Sequence, residues 1–222
     1  MIRDQEILNQ LLDTVSRYVR ERLVPIEAQV AEENAIPEDV IEEMKEMGLF
    51  GMTIPEQYGG LGLTMEEESL VAIELGRTSP VFRSLIGTNN GIGSAAIAFE
   101  GTQEQKDTYL PKYASGELIG SFCLTEPDVG SDASSVKTSA KRDGDVYILN
   151  GTKRYITNAP RAGTFTVMAR TDPDKPGASG ITAFIVDANS DGITVGQSDK
   201  KMGQAGTSTS DVIFEDVKVP AK

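Results

Sequence analysis

Two short segments hold most of the groups through which this chain could do chemistry. The first is Phe122-Cys123-Leu124-Thr125-Glu126-Pro127-Asp128-Val129-Gly130-Ser131-Asp132, a strand running into a Pro/Gly/Ser turn. Thr125 can donate through its hydroxyl, and a turn at Gly130–Ser131 can present backbone N–H groups and a hydroxyl to an anion such as phosphate. A plain loop would account for the same composition. The second is Lys153-Arg154-Tyr155-Ile156-Thr157-Asn158, where an aromatic, an apolar residue and a threonine close a strand. Alternation puts Tyr155 and Thr157 on one face. A ring beside a hydroxyl suits a flat heteroaromatic ligand, although in isolation the motif is better explained by a strand packing Tyr155 into the barrel. Glu126, the acid ahead of Pro127, reads as a structural turn residue rather than a general base.

The missing residue types narrow the chemistry further. The 222 residues include no histidine, which excludes Ser–His and Cys–His pairs and any His-bearing metal site. Cys123 is the single cysteine and can form neither an internal disulfide nor a metal cluster. No metal site and no catalytic residue is assigned. Carboxylates, hydroxyls, backbone amides or a bound cofactor must do the work. The net charge is −13, and the lysines and arginines are scattered. That argues against a nucleic-acid groove or an anionic membrane surface as partner. No apolar run approaches the ~20 residues of a membrane span. The N-terminus is neither an apolar signal nor an Arg- and Ser-rich transit peptide, so a bacterial cytoplasmic protein is expected.

The elements that must position these segments divide into two halves. Leu8, Leu11, Leu12, Val15, Val19 and Leu23 recur at helical spacing. Pro37 opens a second helix that Gly48 stops. Thr64 with Glu67 forms a capping box for a third helix, ending at Gly76. A fourth helix covers roughly Val81 to Phe99. A fifth begins at Thr102 with Gln105 and is expected to break near Leu110–Pro111. Beyond Gly116 short β-rich runs take over: 120–124, 136–140, 146–149, 153–156, 165–169, 181–186 and 212–214. Asp143–Gly144 and Asn150–Gly151 read as hairpin turns. The expected fold class is α+β: an all-α domain over 1–118, then an antiparallel β-barrel or sandwich over 119–222.

Taken together, TEPxxGSD (from Thr125), NGxKxxITN (from Asn150), FEDVxVP (Phe214–Pro220), PEQYGGLG (Pro55–Gly62) and GTQEQKDTYLPKYASGE (Gly101–Glu117) resemble the acyl-CoA dehydrogenase family. The five motifs stand in the family's order across nearly the whole chain. The resemblance implies FAD as cofactor, bound without a Rossmann fingerprint. Consistently, Gly87-Thr88-Asn89-Asn90-Gly91-Ile92-Gly93 lacks G-x-G-x-x-G spacing. By resemblance that segment borders the acyl cavity, and packing is an equal explanation for its glycines.

The resemblance also implies site roles. The strand Phe122–Thr125 would lie along the isoalloxazine ring, with the Leu124 amide and Thr125 hydroxyl at its pyrimidine edge. Gly130 and Ser131 would meet the pyrophosphate, and Ser131 would border the CoA thioester arm. Tyr155, where the family often has another aromatic, would pack on the flavin, and Thr157 would hydrogen-bond near N5. The implied reaction is α,β-dehydrogenation of an acyl-CoA, with an electron-transfer flavoprotein as acceptor and a homo-oligomer as the full-length state. The family's base is a glutamate of a C-terminal helical domain to which no residue here corresponds, so the chain is expected to be part of a longer enzyme. A same-fold acyl-CoA oxidase or flavin monooxygenase, or a non-catalytic flavin- or acyl-CoA-binding subunit completed by a helical partner, are the rival readings.

Overall fold

The computed structural model describes residues 4–221. They form two compact units. The first runs to Glu117 and includes Lys201–Thr207; the second takes Leu118–Lys200 and the chain from Ser208 onward.

The first unit is helical. Asp4 caps α1 (Gln5–Tyr18) by accepting the Glu6 and Ile7 amides. The helix continues through a π turn, Val19–Leu23, and a 3-10 turn, Val24–Ile26, into α2 (Glu27–Glu33). Pro25 has no N–H for the preceding turn, and the wider π turn absorbs the mismatch. After α2, Pro37 caps α3 (Glu38–Glu46), and Gly48 follows in the left-handed conformation. Both capping boxes are present, Thr64–Glu67 before α4 (Met65–Leu75) and Thr102–Gln105 before α7 (Gln103–Ser115). Between α3 and α4 the YGGLG loop packs on itself, and a Cβ at Gly60 would run into the Ile54 carbonyl. Leu49, Phe50, Phe82, Ile86, Leu110 and Tyr113 are among the fully buried side chains at the unit's centre.

Two helical expectations need correction. The fourth helix is divided into α5 (Pro80–Asn90) and α6 (Ala95–Glu100), because Gly91 leaves the helical region at φ −137° and ψ −113°. The expected break at Pro111 does not occur, and α7 runs through it to Gly116. One missing backbone bond is outweighed by burial of Leu110, Tyr113 and Ala114 on the same helix. Lys201–Thr207 groups with the helical unit through particular bonds. The Gly206 amide donates to Asn34 Oδ1 at 2.8 Å, and Ser84 Oγ donates to Gln204 Oε1 at 3.1 Å.

The second unit is a seven-stranded sheet: β1 (Gly120–Cys123), β2 (Ser139–Asp143), β3 (Val146–Thr157), β4 (Thr164–Arg170), β5 (Ile181–Asp187), β6 (Ile193–Val195) and β7 (Thr209–Pro220). The order is β1-β4-β2-β3-β7-β6, with β5 on β4. Most pairings are antiparallel, but β4 runs parallel to β1 and to the start of β2. The β2–β3 hairpin lies between β1 and β4, giving the chain length a parallel return requires. That hairpin turns at Gly144, with φ +59°. Asn150–Gly151, by contrast, is no turn. β3 passes straight through it with a register shift between Leu149 and Gly151. Gly151 has φ +153°, and a Cβ there would lie 2.5 Å from Thr138 Oγ1. One face buries Cys123, Leu149, Phe165, Val167, Val212 and Phe214, with Phe165 and Phe214 edge to face at 6.2 Å.

Candidate functional site

β1 ends at Cys123, and the chain leaves the sheet through Leu124 and Thr125 into a turn. Reciprocal backbone bonds between Glu126 and Val129 close it. The far end of β3 runs beside this exit. The Arg154 amide donates to the Thr125 carbonyl at 2.8 Å, and the Ser121 hydroxyl donates to the Thr157 carbonyl at 2.8 Å. The two segments singled out from the sequence are therefore neighbours, tied at two points.

A buried ion pair joins them as well. The Lys153 ammonium, on a side chain with no exposed surface, donates to Glu126 Oε1 at 2.9 Å and to the Leu124 carbonyl at 3.0 Å. Glu126 also accepts the Thr138 amide at 2.8 Å and the Lys137 amide at 2.7 Å. Both charges are compensated, as a dry interior demands. Burial works to raise the Glu126 pKa, but the hydrogen bonds from Thr138, the Lys137 amide and Lys153 outweigh it and hold the carboxyl below its ordinary value. Burial lowers Lys153, opposed by Glu126. Burial pushes the Cys123 thiol up, so it is no nucleophile at neutral pH. Glu126 thus has the structural role its place before Pro127 suggested.

The turn after Glu126 is shaped by its own contacts. Asp132 accepts the Ser134 hydroxyl at 2.6 Å and also that of Ser135. The Arg170 guanidinium donates to the Ser134 carbonyl at 2.7 Å and the Val136 carbonyl at 3.0 Å, holding 134–136 against β4.

Within this frame Phe122, Leu124, Thr125 and Thr157 are half-buried, while Gly130 and Ser131 are exposed. Among the described residues, no partner within the chain engages the hydroxyls of Thr125, Ser131 or Thr157. Tyr155 is 58% exposed, which rules out its packing into the β-core. Its φ is +58°, and the register of β3 on β7 shifts between Lys153 and Ile156. The alternation expected to pair Tyr155 with Thr157 is interrupted at this bulge, and Lys153 and Ile156 are both buried. Positive φ is uncommon for a bulky side chain and persists only where surroundings impose it. Here the Arg154 guanidinium stacks 4.8 Å from the Tyr155 ring centroid and pairs with Asp211 at 3.1 Å. Bulges of this kind re-aim side chains beside functional sites.

In Gly87–Gly93 the two asparagines are held by packing within the helical unit. The Asn90 amide donates to the carbonyls of Leu49 (2.6 Å) and Ile86 (3.1 Å), and Asn89 donates to that of Tyr113 (3.1 Å). These bonds secure the end of α5 inside the helical unit.

The description "Acyl-CoA dehydrogenase, N-terminal domain" matches residues 5–117, and "Acyl-CoA dehydrogenase, middle domain" matches residues 121–217. The chain belongs to the acyl-CoA dehydrogenase family. The acyl-CoA dehydrogenase of Bacillus subtilis is 37% identical to it, over 93% of this chain and 54% of the relative. The acryloyl-CoA reductase (NADH) of Anaerotignum propionicum is 38% identical, over 100% of this chain and 55% of its own length. The solved acyl-CoA dehydrogenase of Bacillus anthracis, complexed with FAD, superposes with a TM-score of 0.87 at 33% identity. That match covers 99% of this chain and 37% of the other. The chain spans about half the length of the curated relatives it matches.

Sequence reasoning named the acyl-CoA dehydrogenase motifs but missed the residues that hold them together. Lys153 carried two signals, a lysine inside a strand-like run and the K of NGxKxxITN, but neither pointed to Glu126 as its partner. Arg170 carried none, since an arginine ending a strand is ordinary on any surface. Among the described residues no helix is long and apolar enough to cross a membrane, and no group of acidic or cysteine side chains could hold a metal.

Proposed function

We propose that this chain forms the flavin platform of an enzyme that acts on the α,β carbon–carbon bond of an acyl-CoA thioester. The observation that carries the reading is a set of hydroxyls, Thr125, Ser131 and Thr157, unengaged among the described residues, on tethered segments that also carry an exposed aromatic ring. Those groups match FAD in kind: donors for a heterocycle edge, a Gly-Ser turn for a diphosphate, and a ring to stack. When bound, FAD supplies the acceptor for the β-hydride, and the chain's own residues bind and orient.

In this reading Phe122 lies along the isoalloxazine, and the Leu124 amide and Thr125 hydroxyl donate to its pyrimidine edge. Tyr155 packs on the ring, and Thr157 donates near N5. Gly130 and Ser131 receive the pyrophosphate, and Ser131 borders the thioester arm. Donors fixed in advance stabilise charge where it develops, without reorganisation. Glu126 is unsuited to removing the α-proton, because both its oxygens are engaged by Lys153 and two amides. We assign the base to a carboxylate outside these 222 residues, and assign electron transfer to a separate flavoprotein and homo-oligomeric assembly to the whole enzyme.

A second reading has one observation in its favour, the similarity to an acryloyl-CoA reductase (NADH). The same platform would then serve reduction of the α,β double bond. The experiment for the platform is a titration of the chain with FAD and, separately, NAD. FAD should show a resolved, shifted absorbance and quenched fluorescence, while NAD should bind too weakly to detect. A folded chain that leaves the FAD spectrum unchanged at high protein concentration overturns the reading. A saturated acyl-CoA added anaerobically to the native enzyme with oxidised FAD, and an α,β-unsaturated acyl-CoA added to the enzyme after its flavin has been reduced, separate the two directions.

A further inference from the structure

We propose that Lys153 and Glu126 are the positioning residues of this site, setting the spacing between its donor groups; the proposal rests on the flavin reading above. Three elements carry the proposed donors: the exit from β1 at Leu124–Thr125, the bulged end of β3 at Tyr155–Thr157, and the turn through Gly130–Ser131. All three converge on this one charge pair. Lys153 lies two residues before Tyr155 and binds the carbonyl of Leu124, whose amide is one of the donors, at 3.0 Å. Its second bond, 2.9 Å to Glu126, falls next to Thr125 and at the first residue of the turn. Glu126 extends the frame by accepting the Lys137 and Thr138 amides on the far side of that turn. Arg170 then holds Ser134 and Val136 from β4.

Stability alone does not explain a pair of this kind. A buried ion pair can often be replaced by neutral groups of similar volume without loss of stability. What such a replacement removes is direction. A methionine at 153 would fill the space of the lysine stem but would release the Leu124 carbonyl and the head of the turn, leaving the exit from β1 to be held to β3 by the Arg154–Thr125 and Ser121–Thr157 bonds. Groups that bind a rigid ligand must be held to within about 0.5 Å, and locked supporting residues are what hold them. Among the described residues the Lys153 ammonium spans 29 positions to Leu124 and 27 to Glu126, so it joins segments that no local hydrogen bond could register.

The test compares the wild-type chain with the double variant Glu126→Gln/Lys153→Met, each saturated with FAD. Circular dichroism should show the double variant folded. Its dissociation constant for FAD should rise about 10- to 150-fold, the range expected for losing a hydrogen bond to a charged group. The absorbance of its bound flavin should also lose vibronic structure and move toward that of free FAD. That spectral readout distinguishes positioning from simple structure, since a purely structural pair changes how much protein folds and leaves the bound flavin's spectrum as it was. Wild-type affinity and spectrum in the saturated double variant overturn the proposal. A wild-type chain that does not perturb FAD instead overturns the flavin reading itself. If the double variant does not fold, Glu126→Gln alone, which keeps the Lys153–Leu124 bond, must show a smaller shift of the same sign, and a wild-type spectrum there overturns the proposal.

Discussion

Replacing Lys153 with methionine should destabilise the β unit far more than any exposed lysine replacement. Methionine has nearly the length of the lysine stem, so the packing loss is small and the effect is electrostatic. Two bonds disappear, at 2.9 Å to Glu126 and 3.0 Å to the Leu124 carbonyl. The Glu126 carboxylate, with 4% of its side chain exposed, then keeps only two amide donors. Breaking a buried pair from one side costs about 3–5 kcal/mol, because a charge is left uncompensated. With a urea m-value of about 2 kcal/mol/M, that corresponds to a midpoint lowered by about 2 M. Adding Glu126→Gln should recover most of the loss, since the orphaned charge is then gone. Equilibrium urea unfolding of both single variants and the double, followed by far-UV circular dichroism, gives the coupling energy directly. A Lys153→Met loss below about 1 kcal/mol, or a double variant no more stable than Lys153→Met, would refute the claim that uncompensated charge sets the magnitude.

Acid should act through the same carboxylate. Glu126 in the folded chain titrates below its ordinary 4.5, so the unfolded chain binds the proton first as pH falls. Its contribution is complete above that ordinary value and is lost as pH drops through the lower folded one. Denaturant midpoints measured against pH should therefore be flatter below about pH 4.5 in Glu126→Gln than in wild type. Gly151→Ala should cost about 1–3 kcal/mol, because the added Cβ meets Thr138 Oγ1 at 2.5 Å and its Cα at 2.8 Å; an unchanged thermal midpoint would show that the bulge can relax. In the FAD-loaded native enzyme, Thr157→Val should slow flavin reduction about 5- to 150-fold with little change in acyl-CoA affinity. Unaltered stopped-flow reduction at full flavin occupancy would remove Thr157 from the N5 role.

What the sequence by itself determined is what short-range chemistry controls. Thr64 with Glu67 and Thr102 with Gln105 each satisfy orphan amides within one turn, so both helix starts were legible. The hairpin signalled by Asp143–Gly144 formed, with Gly144 and Asp145 as its turn residues, because a two-residue turn needs only its own dihedrals. The motif segments at 122–132 and 153–158 were also legible as residue types in order. Asn150–Gly151 carries the same local signal as Asp143–Gly144, yet it lies mid-strand. β7 pairs with β3 from Val146 to Thr157, and that long ladder, which absorbs the glycine as a register shift, outweighs one local turn preference. Pro111 was overridden by the burial of its helix, and Gly91 broke a helix that spacing alone would have continued.

The site shows the same division. Family motifs pointed to Leu124, Thr125, Tyr155 and Thr157, but spacing could not show that Lys153 and Glu126, 27 residues apart, would meet as a buried pair. A lone lysine in a strand and a lone glutamate before a proline are each ordinary at a surface. Their pairing, and the bulge that leaves Tyr155 exposed at positive φ, depend on where β1, β3 and β7 lie against one another. Such long-range registers are set by burial of the whole sheet face, a cooperative quantity that no window of residues contains.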